Sequence, residues 1–178
     1  MIILTNDDGG MSPTLEKTIR ALGGFETLIA VPSKDVSGCS MCITIDREIL
    51  VEKKKIFGRD VFVCGGKTAD CVLLGKTIAK KPIQGLISGI NTGPNLGLDI
   101  IYSGTVAGAR KGCLLGIPSV AISMERGAKK DQKVFYESAY SLLGVIADLL
   151  LVSPPPKNHF VNVNIPNQPL ENIGGAIT

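Results

Sequence analysis

A chain of 178 residues with 44% apolar and 20% charged residues is long enough for one domain with its own core and too apolar to stay disordered. Nineteen Lys and Arg against sixteen Asp and Glu leave a formal charge of +3, a mild excess that favours small anions without marking a polyanion binder. Trp is absent and aromatic residues are 4%, which leaves little to stack nucleic-acid bases on, and a single histidine, His159, excludes His-rich zinc sites and any acid–base scheme needing two imidazoles.

Short apolar runs alternate with longer helical patterns, the signature of an α/β protein with a parallel sheet wound by helices. Met1–Thr5 reads as a buried first strand. Pro13 opens a helix to about Gly23, with Leu15, Ile19 and Leu22 on one face and the proline in the first turn, where its missing donor costs nothing. Thr27–Val31 is a second strand, and a Ser- and Gly-rich loop follows from Ser33 to Met41. Ile43–Val51 and Arg59–Cys64 read as extended segments joined through the lysines at 53–55, predicting a protruding hairpin or antiparallel edge with the lysines in its turn. Thr68 is positioned to cap a helix running to about Lys80. Gly85–Ser88 is a central strand, Gly89–Ile101 a Gly/Asn/Pro loop, Ser103 to about Leu115 a helix and Ser119–Ser123 a strand. Lys133–Leu151 is a long amphipathic helix, and Phe160–Ile165 is the last strand.

No basic or long apolar start precedes the first strand, and the longest apolar stretch, Leu142–Val152, is interrupted by Asp148 and too short to span a bilayer. The expectation is a soluble, cytoplasmic protein without a membrane partner. The five cysteines (Cys39, Cys42, Cys64, Cys71, Cys113) are odd in number and read as reduced thiols; Cys39 and Cys42 form a CxxC without a second pair to complete a zinc site. Gly66, Lys67 and Thr68 imitate the end of a phosphate-binding P-loop, but Val61 stands where its first glycine is needed. Glycines 104, 108, 112 and 116 recur every four residues, a spacing suited to close helix-to-sheet packing.

In an open parallel sheet, ligands bind beyond the carboxyl ends of the strands, so the loops after the strands are where chemistry is expected. The first holds Asn6, Asp7, Asp8, Gly9 and Gly10. Two adjacent carboxylates meeting at one site repel by about 4 kcal/mol at ~4 Å and an effective dielectric near 20, which a divalent cation relieves; the plainer alternative is one aspartate capping the next helix and the other solvated. A second loop, Ser88–Asn95, is rich in neutral oxygen ligands, and Ser37 and Gly38 add a polar segment after the second strand. Tyr102, Ser103, Gly104 and Thr105 lead into a helix whose free amides and positive dipole end suit an anion, or whose serine is an ordinary cap. Oxygen-only ligands suit Mg²⁺, Mn²⁺ or Ca²⁺, and a metal beside an anion-binding helix end is the apparatus of phosphoryl chemistry.

Six ordered segments carry a family resemblance: TNDDG at 5–9, SG at 37–38, TADCV at 68–72, SGIN at 88–91, GPNLG at 93–97 and YSGTVAGA at 102–109. In order and spacing they resemble the SurE (survival protein E) family of nucleotidases over nearly the whole chain. The resemblance implies a Rossmann-like three-layer α/β sandwich with a mostly parallel sheet. It implies a divalent metal on Asp7, Asp8, Ser37 and Asn91, hydrolysis of nucleoside 5′- and 3′-monophosphates, and assembly as homodimers or homotetramers, with nucleic-acid duplexes outside its ligands. Members of the family run well beyond residue 178, so their C-terminal part is expected to be absent here. Two departures are Gly10 after NDDG and the segment GKTADC, which lacks the family's proline.

On this reading Asp7 and Asp8 are the catalytic carboxylates, one of them acting as general base or as nucleophile, with Ser103, Gly104 and Thr105 on the phosphate and Asn6 orienting a carboxylate or the phosphate. The rival expectation is a nucleotide-binding or assembly protein that keeps the metal pocket but turns over little substrate.

Overall fold

The computed structural model describes residues 1–127 and 133–178. Seven strands form one sheet: β1 (Ile2–Thr5), β2 (Thr27–Pro32), β3 (Val51–Ile56), β4 (Arg59–Cys64), β5 (Gly85–Thr92), β6 (Ser119–Met124) and β7 (Val161–Ile165). The helices are α1 (Pro13–Ala21), α2 (Thr68–Ile78), α3 (Asp99–Tyr102), α4 (Gly104–Leu114) and α5 (Tyr136–Val152). Among the described residues no helix is long and apolar enough to cross a membrane.

The strand order is β3-β4-β2-β1-β5-β6-β7, and every pairing is parallel except β3 with β4. From β1 the chain runs outward through β2 and β4, then returns to the other side of β1 as β5 and continues to β6 and β7. The winding therefore reverses between β1 and β5, the position in a doubly wound sheet where neighbouring loops part and leave a crevice.

Period-two alternation sorts the side chains into two layers. Ile2 and Leu4 face the larger core with Leu15, Ile19 and Leu143 from α1 and α5. Ile3 faces the opposite layer with Val72 of α2 and Leu86 of β5. On this second face α4 lies against the sheet through glycines: a Cβ on Gly104 would meet Asp7, one on Gly108 would meet Ser88, and one on Gly112 would meet Ser119 and Leu86. Three of the four glycines in the four-residue spacing make this helix-to-sheet contact; Gly116 lies beyond the end of α4, at φ +75° with nothing within 4 Å of a Cβ, and serves the turn instead.

The hairpin differs from its sequence expectation in register and extent. Lys53, Lys54 and Lys55 lie within β3, and the turn is Phe57–Gly58, both at positive φ. Lys53 and Lys55 reach Asp60 across the pair at 2.8 and 2.7 Å, so charges that read as a solvated turn are the exposed outer strand of the sheet. Ile43–Leu50 forms no strand. Ile45 is 85% exposed with no facing surface to bury it, while the Thr44 N–H and hydroxyl both donate to the Asp70 carboxylate and hold the segment as a loop.

Three boundaries also move. Lys67, not Thr68, precedes α2, its N–H donating to Asp70 Oδ2 at 2.8 Å. Within the stretch that reads as loop from Gly89 to Ile101, β5 continues to Thr92 and α3 forms; Leu98, Ile101 and Tyr102 are exposed there, so no buried stripe announces it. Helix α5 begins at Tyr136, three residues after Lys133, where the Phe135 N–H is taken by Asn167 Oδ1.

Candidate active site

Strand β1 delivers Asn6, Asp7 and Asp8 at the point where the winding reverses. Asn6 closes a local ring, its Nδ2 donating to the Gly9 carbonyl and its Oδ1 accepting from the Gly9 N–H, both at 3.1 Å. Gly9 takes φ +95°, and a Cβ there would lie 3.2 Å from the backbone of Lys34, so the turn needs glycine. The Asn6 amide is thus committed to the shape of the loop that presents the aspartates.

Asp7 is buried and held from three sides. Thr105 Oγ1 donates to its Oδ1 at 2.6 Å. Its carbonyl accepts the Val36 N–H at 2.8 Å, joining the loop after β2 to the loop after β1. Gly104 leaves room for it: a Cβ there would lie 2.7 Å from Asp7 Cβ and 2.8 Å from Oδ2. Burial pushes the Asp7 carboxyl above its ordinary range, and the Thr105 hydrogen bond pulls the other way.

Asp8 is half-buried and carries the stronger electrostatic signal. Burial first, then the charges of Asp7 and Asp35, push it up to about 6, with Ser12 and Arg126 opposing. Ser12 Oγ reaches Asp8 Oδ2 only at 3.4 Å. Two adjacent carboxylates whose ionisation is penalised in the same place form an anion-rich pocket wanting a cation.

The other predicted residues differ in their engagement with this pair: Thr105 and Gly104 touch Asp7, whereas Ser37 and Asn91 make their hydrogen bonds elsewhere. Ser103 caps α4, its Oγ accepting the Val106 N–H at 3.1 Å, with Gly104 and Thr105 as the first helical residues. Thr105 places its hydroxyl on Asp7. Ser37 follows Val36 directly but stands exposed, its N–H donating to Asp35 Oδ1 at 2.8 Å. Asn91, near the end of β5, gives its Nδ2 to the Gly93 carbonyl at 2.8 Å. Ser40 ties the same loop to the chain entering α4, its N–H donating to the Tyr102 carbonyl and its Oγ to that of Ile101. His159 is exposed just before β7, at the opposite end of the parallel strands from Asp7. Among the described residues no three carboxylate, thiol or imidazole groups converge on one point.

A cleft of about 560 Å³ opens beside Asp8, bounded by Met11, Lys34, Asp35, Thr92 and Arg126 among others. Sequence reasoning missed Arg126 and Asp35. Arg126 follows β6 just as Asp7 follows β1, so inspecting the loop after that strand would have found it.

A doubly wound α/β protein with an acidic pair at the reversal of its sheet belongs to the class whose ligands enter between strand ends. The family model described as Survival protein SurE matches residues 2–178, and the chain belongs to that family. It is 37% identical over 177 residues to a protein of Photorhabdus laumondii named 5'/3'-nucleotidase SurE, covering 98% of this chain and 66% of that one. It is 38% identical over 187 residues to the 5'-nucleotidase SurE of Carboxydothermus hydrogenoformans, covering 99% of this chain and 69% of the relative. A crystal structure of a SurE protein from Aquifex aeolicus superimposes with a TM-score of 0.84 at 34% identity, over 97% of this chain and 68% of that one. The chain therefore spans about two thirds of the length of the relatives it matches.

Proposed function

We propose that this chain is a metal-dependent phosphomonoesterase acting on nucleoside 5′- and 3′-monophosphates, with its site carried by a single α/β domain. The observation that carries the reading is the Asp7–Asp8 pair, one carboxylate buried on Thr105 and the other pushed up to about 6 by burial and by its neighbour's charge. The names of the relatives supply the substrate class. The donor set fits Mg²⁺, Mn²⁺ or Ca²⁺: two carboxylates, with Ser37 and Asn91 at the same carboxyl edge of the parallel strands, all oxygen, with no histidine at that edge. A divalent cation bound there supplies charge neutralisation and a water of lowered pKa.

The chain's own groups do the rest. Thr105 holds the Asp7 carboxylate in one rotamer, so the first anionic ligand is set before substrate arrives. With the Thr105 hydroxyl committed to Asp7, the positive dipole end of α4 and the Ser103 hydroxyl proton are what this helix start offers to the phosphoryl oxygens. Asp8, the more accessible carboxylate, is the one we assign as general base toward water. Asn6 serves by fixing the turn that carries both aspartates. Assembly as a homodimer or homotetramer is part of the same proposal, supported by the exposed outer strand β3 and the exposed apolar residues Leu98, Ile101 and Tyr102.

The test is phosphate release from nucleoside monophosphates with Mg²⁺ or Mn²⁺, repeated with a chelator and with Asp8→Asn. Chelation should abolish release, and the variant, still folded by circular dichroism, should lose about a hundredfold or more, the usual scale for one charged group at a reacting centre. Activity within threefold of the parent refutes the assignment.

A further inference from the structure

The cleft beside Asp8 is built from chemistry that phosphate alone does not use. It is bounded by two cations, Lys34 and Arg126, and by two carboxylates, Asp8 and Asp35, so its charges offset one another and it is poorly suited to a second dianion. Met11, 80% exposed, and Pro13 add apolar surface. The side chain of Arg126 is not a loose surface arginine. Its Nε donates to the Thr92 carbonyl at 2.6 Å, and its guanidinium lies over Gly93, where a Cβ would sit 3.3 Å from Nε and 3.7 Å from Cζ. Gly93 at φ +124° carries no side chain to dispute that space. The planar group is thereby held beside the cleft.

A guanidinium with a fixed plane, a thioether on the same cleft and charges that cancel suit a flat, neutral heterocycle with donors and acceptors on its edge. We propose that this cleft is the nucleobase subsite and that Arg126 is its specificity-determining residue, stacking on or hydrogen-bonding the base while the phosphate lies toward Asp7 and α4. Aromatic rings are scarce in this chain and none of the described residues lining the cleft is aromatic, so the guanidinium plane takes the place that a Phe or Tyr fills in many nucleotide pockets. The inference rests on the nucleotidase reading and adds to it a reason for preferring nucleotides over other phosphate esters.

The experiment compares AMP, GMP and ribose 5-phosphate as substrates for the parent chain, Arg126→Ala and Arg126→Lys, alongside calorimetric binding of AMP and ribose 5-phosphate with Mg²⁺ present. The expected result is that Arg126→Ala raises KM for AMP or GMP about tenfold with kcat within twofold, the loss of one desolvated cation–aromatic contact. Ribose 5-phosphate should be unaffected, and Arg126→Lys, which keeps the charge but not the plane, should resemble the alanine variant. Equal loss on all three substrates overturns the proposal, because Arg126 would then serve the phosphate or the metal loop. Full recovery by lysine overturns it too, since charge alone would suffice, as does a KM unchanged in both variants. If the parent chain releases no phosphate from any compound, the nucleotidase reading fails by itself. Calorimetry then decides the subsite: AMP binding weakened tenfold by Arg126→Ala sustains it, and AMP binding no tighter than ribose 5-phosphate refutes it.

Discussion

The junction of β1 with α4 and the β3–β4 hairpin are both rich in charge, yet they are built on opposite terms. At the junction Asp7 is buried, takes the Thr105 hydroxyl at 2.6 Å and stands against a glycine with no room for a methyl group. On the hairpin Asp60 meets Lys53 and Lys55 in the open, and those two ammonium groups hold it down to about 2. The contact distances are nearly the same. What differs is whether water can replace a lost partner: it can on the hairpin and cannot at the junction. A pair's importance follows from what surrounds it more than from its length.

That contrast is open to attack in order of expected effect. Gly104→Ala should do most damage, since its Cβ must displace Asp7 or lift α4; we expect a loss of about 1–3 kcal/mol of stability from overpacking, together with a fall in phosphate release. Gly144→Ala in α5, where nothing lies within 4 Å, is the control, and should stabilise by about 0.5–1 kcal/mol through helix propensity. Thermal melts of the two variants check both signs.

Thr105→Val comes next. It keeps the shape but removes the donor that opposes the rise of the Asp7 pKa, so the acid limb of the activity profile should move to higher pH. An unmoved limb would place the titration elsewhere.

Smaller still is the pH dependence of the metal-free protein. Asp8 rises from 3.8 to about 6 on folding, so the folded state holds that proton more tightly, and stability falls as pH climbs through the interval between those values. In chelator, the melting temperature should be higher at pH 5 than at pH 7.5. Asp8→Asn should shrink the difference, the raised Asp7 carboxyl supplying the rest with the same sign, and saturating Mg²⁺ should reverse it by favouring the ionised pair. Carboxylates that are lowered, Asp35 and Asp60 among them, act with the opposite sign at more acidic pH, outside this window. Smallest is Asp60→Asn on the hairpin, which should leave both melting temperature and activity within the scatter of repeat measurements.

The sheet and most of its elements were legible because buried parallel strands are short apolar runs and the helices between them are marked by Pro13, Ser103 and the periodicity of Leu15, Ile19 and Leu22. The segment 43–56 was not legible: Ile43, Ile45 and Leu50 look like strand residues, yet the partner for an edge strand is chosen by register, and β4 pairs with the lysine run instead. The site was legible as a set of loops after strands, and less so as a set of contacts. The Thr105 hydroxyl reads as a phosphate donor but points at Asp7, 98 positions away in the chain, a pairing that only the approach of α4 to β1 creates. Arg126 carried no motif at all, only its position at the end of a strand.

The glycine contacts of α4 bear on how the site behaves when it is filled. A helix seated on the sheet at residues 104, 108 and 112 cannot slide along it or rotate without driving backbone into side chains. The free amides at its start and the carboxylate beneath them are therefore set in register when the chain folds. Ligand capture at that end should involve little rearrangement of the backbone, so amide exchange in the body of α4, from Gly108 to Leu114, ought to be slow before any phosphate is added and to change little afterwards.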